Sequence, residues 1–226
     1  MDGKTQTVGA ECRQIVRAAA KAVLGTLDAK SGAPFCSLVA VATAGDGTPV
    51  MLMSTLARHT GNAASDPRAS LLFETAGREG AADDFLDRGR ITLSGDLERW
   101  ADDHGRARFL ARHPASAQFA GFADFSIFRL KVKSAYFVAG FGRVRTLKGE
   151  QFLLAQALAG PVAEAEAELL SSPTPPTLML GGEAWRLVGC DCEGADVMRE
   201  GMLRRVIFPQ AVGGGDELRR ALESAE

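Results

Sequence analysis

The sequence predicts a mixed α+β chain with a mostly antiparallel sheet, and three observations carry that reading. Residues 125–138 alternate Phe128, Leu130 and Val132 with Arg129, Lys131 and Lys133, the two-residue period of a half-buried strand. Residues 90–100 (RITLSGDLERW) repeat the pattern through Ile91, Leu93 and Leu97. Gly45-Asp46-Gly47 joins two apolar runs as a hairpin, while residues 11–22 and the Ala/Leu/Glu stretches after Leu147 have helical spacing.

Composition narrows the functions. A chain of 226 residues suits one large domain or a medium and a small one. A net charge of −2 gives no global attraction to nucleic acid or anionic lipid, so any anion site must be local. Met1-Asp2-Gly3-Lys4 lacks the apolar core of a signal peptide, and no run approaches the roughly 20 apolar residues of a membrane span. The expectation is a cytoplasmic protein with Cys12, Cys36, Cys190 and Cys192 as free thiols. Cys190-x-Cys192 has no second Cys or His pair near it in sequence, so no metal site is expected.

In chain order, residues 11–22 carry Ile15, Val16, Ala19 and Ala20 on one helical face, and residues 23–28 begin the sheet. Residues 35–43 (FCSLVAVAT) are almost wholly apolar, which predicts a strand covered on both faces, as in a barrel wall that meets another subunit or a bound ring. Residues 76–89 are acidic and Gly-containing and read as a loop or lid edge. Residues 102–113 form a short helix capped by Asp102 or Asp103 and stopped by His113-Pro114, with His104 and His113 as surface or helix-end residues. Gly140-Phe141-Gly142-Arg143 suits a tight turn. A boundary near residue 147 divides the chain into 1–147 and 148–226. The second part reads as two helices (151–159 and 161–170) broken at Gly160-Pro161, strands at 178–180, 185–190 and 204–208, and a last helix from Asp216.

The chain is organised around residues 50–73. Val50-Met51-Leu52-Met53 reads as a strand that passes through Ser54-Thr55 into a short helix holding Arg58, His59 and Thr60; Asp66-Pro67 closes it, and Ser70-Leu71-Leu72-Phe73 is the next strand. A helix start with hydroxyl and cationic side chains offers N–H donors and a favourable dipole to an anion such as a phosphate monoester. An ordinary capped helix has the same spacing.

The pattern Ser54, Leu56, Ala57, His59, Thr60, Asn62, Asp66, Pro67, Arg68, Ser70, Leu71, Leu72 resembles the signature of FMN-binding split-barrel proteins, relatives of pyridoxamine 5′-phosphate oxidase, and most closely their HugZ-like haem-utilisation branch. The resemblance implies an α+β fold: a mostly antiparallel, six-stranded FMN-binding split β-barrel over 1–147, followed by a small α+β C-terminal domain over 148–226. It implies a homodimer with the flavin between subunits and a small-molecule substrate. Ser54, Arg58, His59 and Thr60 would hold the FMN phosphate, and Ser37 with Val39, Ala40 and Val41 would line the ring. Arg129, Lys131 and Arg143 are the candidate substrate-side cations; Gly140–Arg143 is similar to the segment that ends the barrel in the HugZ-like branch.

Trp185-Arg186-Leu187-Val188-Gly189, Asp191, Gly194, Asp196 and Phe208-Pro209 resemble the C-terminal domain of the same branch. Two departures matter. Ser37, His59 and Thr60 stand where pyridoxamine phosphate oxidases carry more basic residues, which argues against a doubly phosphorylated substrate. The Asn-x-Asp-His motif that commonly opens the C-terminal domain is replaced by Val162–Ala167, and no histidine follows His113, so that region offers no haem axial ligand. Three readings stay open: an FMN-dependent oxidoreductase, a haem-binding or haem-degrading protein using the same cleft, and a non-enzymatic scaffold.

Overall fold

A computed structural model describes residues 3–75, 88–140 and 143–225, with side chains from Val8 onward. Helix α1 (Gly3–Ala18) leads into β1 (Lys21–Leu27), β2 (Pro34–Ala40), the two-residue β3 (Ala42–Thr43) and β4 (Pro49–Ser54). Next come α2 (Arg58–Ser65), β5 (Arg68–Glu74), β6 (Gly89–Arg99), α3 (Asp103–Arg112), a short 3-10 turn, α4 (Ala117–Ala120), β7 (Phe125–Ala139) and β8 (Val144–Lys148). These strands make one antiparallel sheet in the order β2-β1-β5-β6-β7-β4-β3, with β8 on the far half of β7. Although they stand far apart in that order, β2 and β4 come back into contact, and the sheet curls into an open-sided barrel. The six expected strands are β1, β2 and β4–β7; β3 and β8 extend them.

Alternation explains the barrel's interior. Leu24, Met51, Leu71, Phe73, Ile91, Leu93, Leu130 and Phe137 point inward, where Cys12 and Val16 of α1 and Phe152 complete the cluster. A bulge between Ser94 and Gly95 lets β7 bend. A Cβ on Gly95 would lie 2.0 Å from the Lys131 carbonyl oxygen, so the close approach there requires glycine.

The chain continues through α5 (Gly149–Phe152) and α6 (Gln156–Ser171) to a second sheet. This sheet comprises β9 (Thr177–Leu180), β10 (Glu183–Asp191), β11 (Gly194–Arg199) and β12 (Met202–Ile207), ordered β12-β11-β10-β9, and α7 (Gly215–Glu223) follows. Its tight turns use residues at positive φ, Gly181-Gly182 (61° and 80°) and Glu200-Gly201 (51° and 80°), the backbone that matches strand twist. Its own core gathers Val162, Trp185, Leu187, Val197, Phe208 and Leu218.

Several elements differ from the sequence reading. The first helix ends at Ala18, and the sheet starts two residues early at Lys21. Gly160-Pro161 does not break α6, because tertiary packing of its face against β10, α3 and α7 outweighs the lost N–H; the break falls at 153–155. Strand β11 was not foreseen from the sequence, its Gly194-Ala195-Asp196 start lacking a strand-forming pattern. Gly214 rather than Asp216 caps α7, with no side-chain bond. The expected loop at 76–89 lies, up to residue 87, outside the described residues, as do Phe141 and Gly142.

Candidate functional site

The β4–α2 junction forms a polar corner at one end of the barrel. Ser54 does not cap α2: its hydroxyl donates to Asp124 (2.7 Å) and accepts the Leu56 N–H (3.1 Å), while Ala57 is the N-cap without a side-chain bond. Asn62 ties α2 to the β1–β2 hairpin, donating to the Thr26 hydroxyl (3.0 Å) and accepting the Ala29 N–H (3.0 Å). Arg58 reaches the same hairpin. Its Nε and Nη2 donate to one oxygen of Asp28 (3.0 and 2.8 Å), and its guanidinium lies 4.6 Å from the Phe35 ring centroid. Two residues on, the buried Thr60 hydroxyl has no partner among the described residues, and neither does the Ser37 hydroxyl on β2. Burial lowers the pKa of His59, so its ring favours the neutral form.

Within one chain, strand β2 keeps one face toward the barrel and one turned outward. It is an edge strand whose Phe35, Ser37 and Val39 turn toward the barrel while Cys36, Leu38 and Ala40 turn out; Val41, just past it, is buried. Alternation on a sheet edge separates residues that the run of apolar letters had joined, so Ala40 does not share a face with Val39 and Val41.

The pairing registers lay out the outer face in rows. Leu38, Val23, Leu72, Thr92, Tyr136 and Thr146 form one row across β2-β1-β5-β6-β7-β8. Within it Leu38 is 66%, Val23 38%, Leu72 43% and Tyr136 49% exposed. Single exposed apolar residues are ordinary; four in one cross-strand row are a patch. The patch runs into a groove of about 690 Å³ between α1, β1, β5 and β12, whose walls include Ile15, Ala18, Val23, Leu38, Leu72 and Ile207, with Lys21, Glu74 and Arg205 as its charged groups.

The substrate-side cations are not gathered at that groove. Arg129 pairs with Glu98 and lies over Trp100 (5.0 Å), Lys131 is exposed opposite Asp96, and Arg143 donates to the Ala139 carbonyl (2.8 Å). His113 bonds the Val41 carbonyl (2.8 Å) and His104 bonds the buried Glu166 (2.9 Å), so both are structural partners rather than surface groups.

Sequence reasoning missed a buried charge network that joins the barrel helices to the second sheet. Arg13 and Arg17 of α1 meet Glu193 and Asp191, and Arg108 and Arg112 of α3 meet Glu166 and Asp196. Arg205 of β12 bridges Asp191 (2.9 Å) and Asp196 (3.0 Å). Burial pulls the pKa of Arg17 down to about 9, with Arg205 adding repulsion. Burial works to raise Glu166 and Asp196, but Arg108 beside the first and Arg205 and Arg112 beside the second overcome it and leave both below the usual carboxylate range. The signal was present: two Arg pairs at i, i+4 on helices place both charges on one face. Among the described residues, no group of three Asp, Glu, His or Cys side chains could hold a metal ion, and no helix is long and apolar enough to cross a membrane.

A family model described as CREG, β-barrel matches residues 4–153, and the chain belongs to that family. Its barrel is of the split type found in pyridoxamine phosphate oxidase relatives, in agreement with the resemblance. A curated relative, the chloroplastic non-canonical heme oxygenase HOZ of Arabidopsis thaliana, is 33% identical over 146 residues, covering 62% of this chain and 43% of the relative, so the chain spans less than half of that protein's length. A crystal structure of an Agrobacterium tumefaciens protein of unknown function shares the fold at TM-score 0.75 and 22% identity, covering 98% and 95% of the two chains. A heme-binding protein from Mycobacterium smegmatis superposes at TM-score 0.59 with 29% identity over 95% and 94% of the two chains.

Proposed function

We propose that this chain is a haem-handling split-barrel protein that binds the porphyrin in the apolar groove between α1, β1, β5 and β12. The observation that carries the reading is the groove itself. Its volume of about 690 Å³ lies within the range of small-molecule sites, and its walls are aliphatic with a few charged groups. Lys21 supplies a cation for a propionate. Arg205, also at the groove, is already bound to Asp191 and Asp196. The residues fit the ring's apolar body, but the described residues of the groove include no histidine, cysteine, methionine or tyrosine as a customary ligand for the iron. Names of relatives point the same way: one is a heme oxygenase and another a heme-binding protein. A second copy packing on the Leu38–Val23–Leu72–Tyr136 row would close the groove, which supports a homodimer.

Hemin titration of the purified protein tests the reading. We expect a saturable Soret band that Leu72→Glu weakens at least about tenfold, since a buried charge must be desolvated against the ring. A titration without saturation, or one indifferent to Leu72→Glu, overturns it.

A second reading, FMN bound with its phosphate at Ser54, Arg58, His59 and Thr60 and its ring along Ser37, Val39, Ala40 and Val41, draws support from the unpartnered Thr60 and Ser37 hydroxyls. In that reading the flavin supplies hydride chemistry and an oxidoreductase follows; Arg129, Lys131 and Arg143 stand as substrate-side cations.

A further inference from the structure

The first turn of α2 combines a donor set suited to an anion with a carboxylate that works against one. Thr60 keeps a buried, unpartnered hydroxyl, and Arg58 is stacked over Phe35. Yet the Nε/Nη2 edge of Arg58, one of the two edges by which a guanidinium grips a phosphate in bidentate fashion, already rests on Asp28 Oδ2. Asp28 is not a casual partner. Its Oδ1 accepts the Ser31 hydroxyl (2.7 Å) and the Ser31 N–H (3.0 Å), so the hairpin turn fixes one oxygen while the guanidinium takes the other. The Ser31 hydroxyl, then Arg58, hold the carboxyl far below the usual carboxylate range, so Asp28 stays charged at every physiological pH.

We propose that Asp28 is a specificity-determining residue that disfavours phosphate monoesters at the α2 end of the barrel by occupying the side-on edge of Arg58 and cancelling its charge. A dianion arriving there meets a neutral pair and must push against a carboxylate anchored by the hairpin. An uncharged polar group meets no such repulsion. The inference concerns the phosphate subsite alone: it stands whether or not the groove takes haem, and it counts against Arg58 as a phosphate contact in the FMN reading.

FMN and riboflavin differ by the phosphate and make the test direct. Calorimetric titration of the full chain is expected to give FMN no more than about threefold tighter than riboflavin. Asp28→Asn keeps an acceptor for the Ser31 turn and removes the charge; it should tighten FMN at least about tenfold and leave riboflavin unchanged. Adding Arg58→Ala to Asp28→Asn should abolish that gain, and thermal melts confirm that each variant is folded. The proposal is overturned if Asp28→Asn leaves FMN unchanged or weakens it, the latter meaning that Asp28 positions Arg58 for phosphate. Wild-type protein that already prefers FMN more than about a hundredfold, or variants that bind neither flavin, overturn it as well. Protein that ignores hemin yet shows the FMN gain would sink the haem reading and support this one.

Discussion

Glu166 shows what one side chain can hold together. It is fully buried, accepts the Cys190 N–H (2.5 Å), bonds His104 (2.9 Å) and pairs with Arg108, whose Nε and Nη1 also donate to the carbonyls of Thr43 (2.5 Å) and Cys190 (2.7 Å). Replacing both charges by well-packed apolar groups can be neutral, but removing one leaves the other buried and uncompensated. Glu166→Ala is therefore expected to cost about 3–5 kcal/mol, read as a lower urea midpoint. A loss under about 1 kcal/mol would mean that water reaches Arg108. Ser54 teaches a related point: a hydroxyl before a helix looks like a cap in sequence, but it donates its hydrogen bond to Asp124, 70 residues away.

Among the elements, β7 does the most. Its start (125–129) pairs with β4, its later part (134–138) with β8 and residues 128–139 with β6, so its bend shapes the barrel. Gly95 sits at that bend, and a methyl group there collides with the Lys131 backbone. Gly95→Ala should lower stability by about 2–4 kcal/mol, because backbone rather than a flexible side chain must move. A melting temperature within about 2 °C of wild type would contradict it. At this scale the sequence was informative: β4, α2, β5, β6 and β7 match the expected elements within a residue or two, because alternation and Pro/Gly punctuation are local signals. Strand β11 and the unbroken α6 were illegible because packing partners far along the chain decide them.

Across the whole molecule, the two sheets meet through charge. Glu166, Glu193 and Asp196 are all held below their ordinary pKa: burial works to raise each, and the arginines around it outweigh that. The sign follows directly. In the unfolded chain these groups protonate near pH 4, and in the folded one only at lower pH, so their stabilisation is complete above about pH 5 and is lost as pH falls through 4. We expect a melting temperature that is flat from about pH 7 to 5 and drops steeply below 4; a decline that begins above pH 6 would assign acid sensitivity to other groups. The same network bears on the division at residue 147: a barrel cut there would leave Arg13, Arg17, Arg108 and Arg112 without their carboxylates.

Sequence alone determined the class of the chain, its barrel strands and the segment from Ser54 to Leu72, because hydrophobic period, turn residues and a long motif are written in neighbouring letters. The tertiary structure decided which residues of β2 turn outward, that Asp28 engages Arg58, and that five arginines and four carboxylates weld two sheets into one body. Those facts depend on groups brought together across 9 to 180 positions, where Coulomb attraction and burial act on distance in space; the arginine pairs are visible in the chain, but their carboxylate partners follow no period.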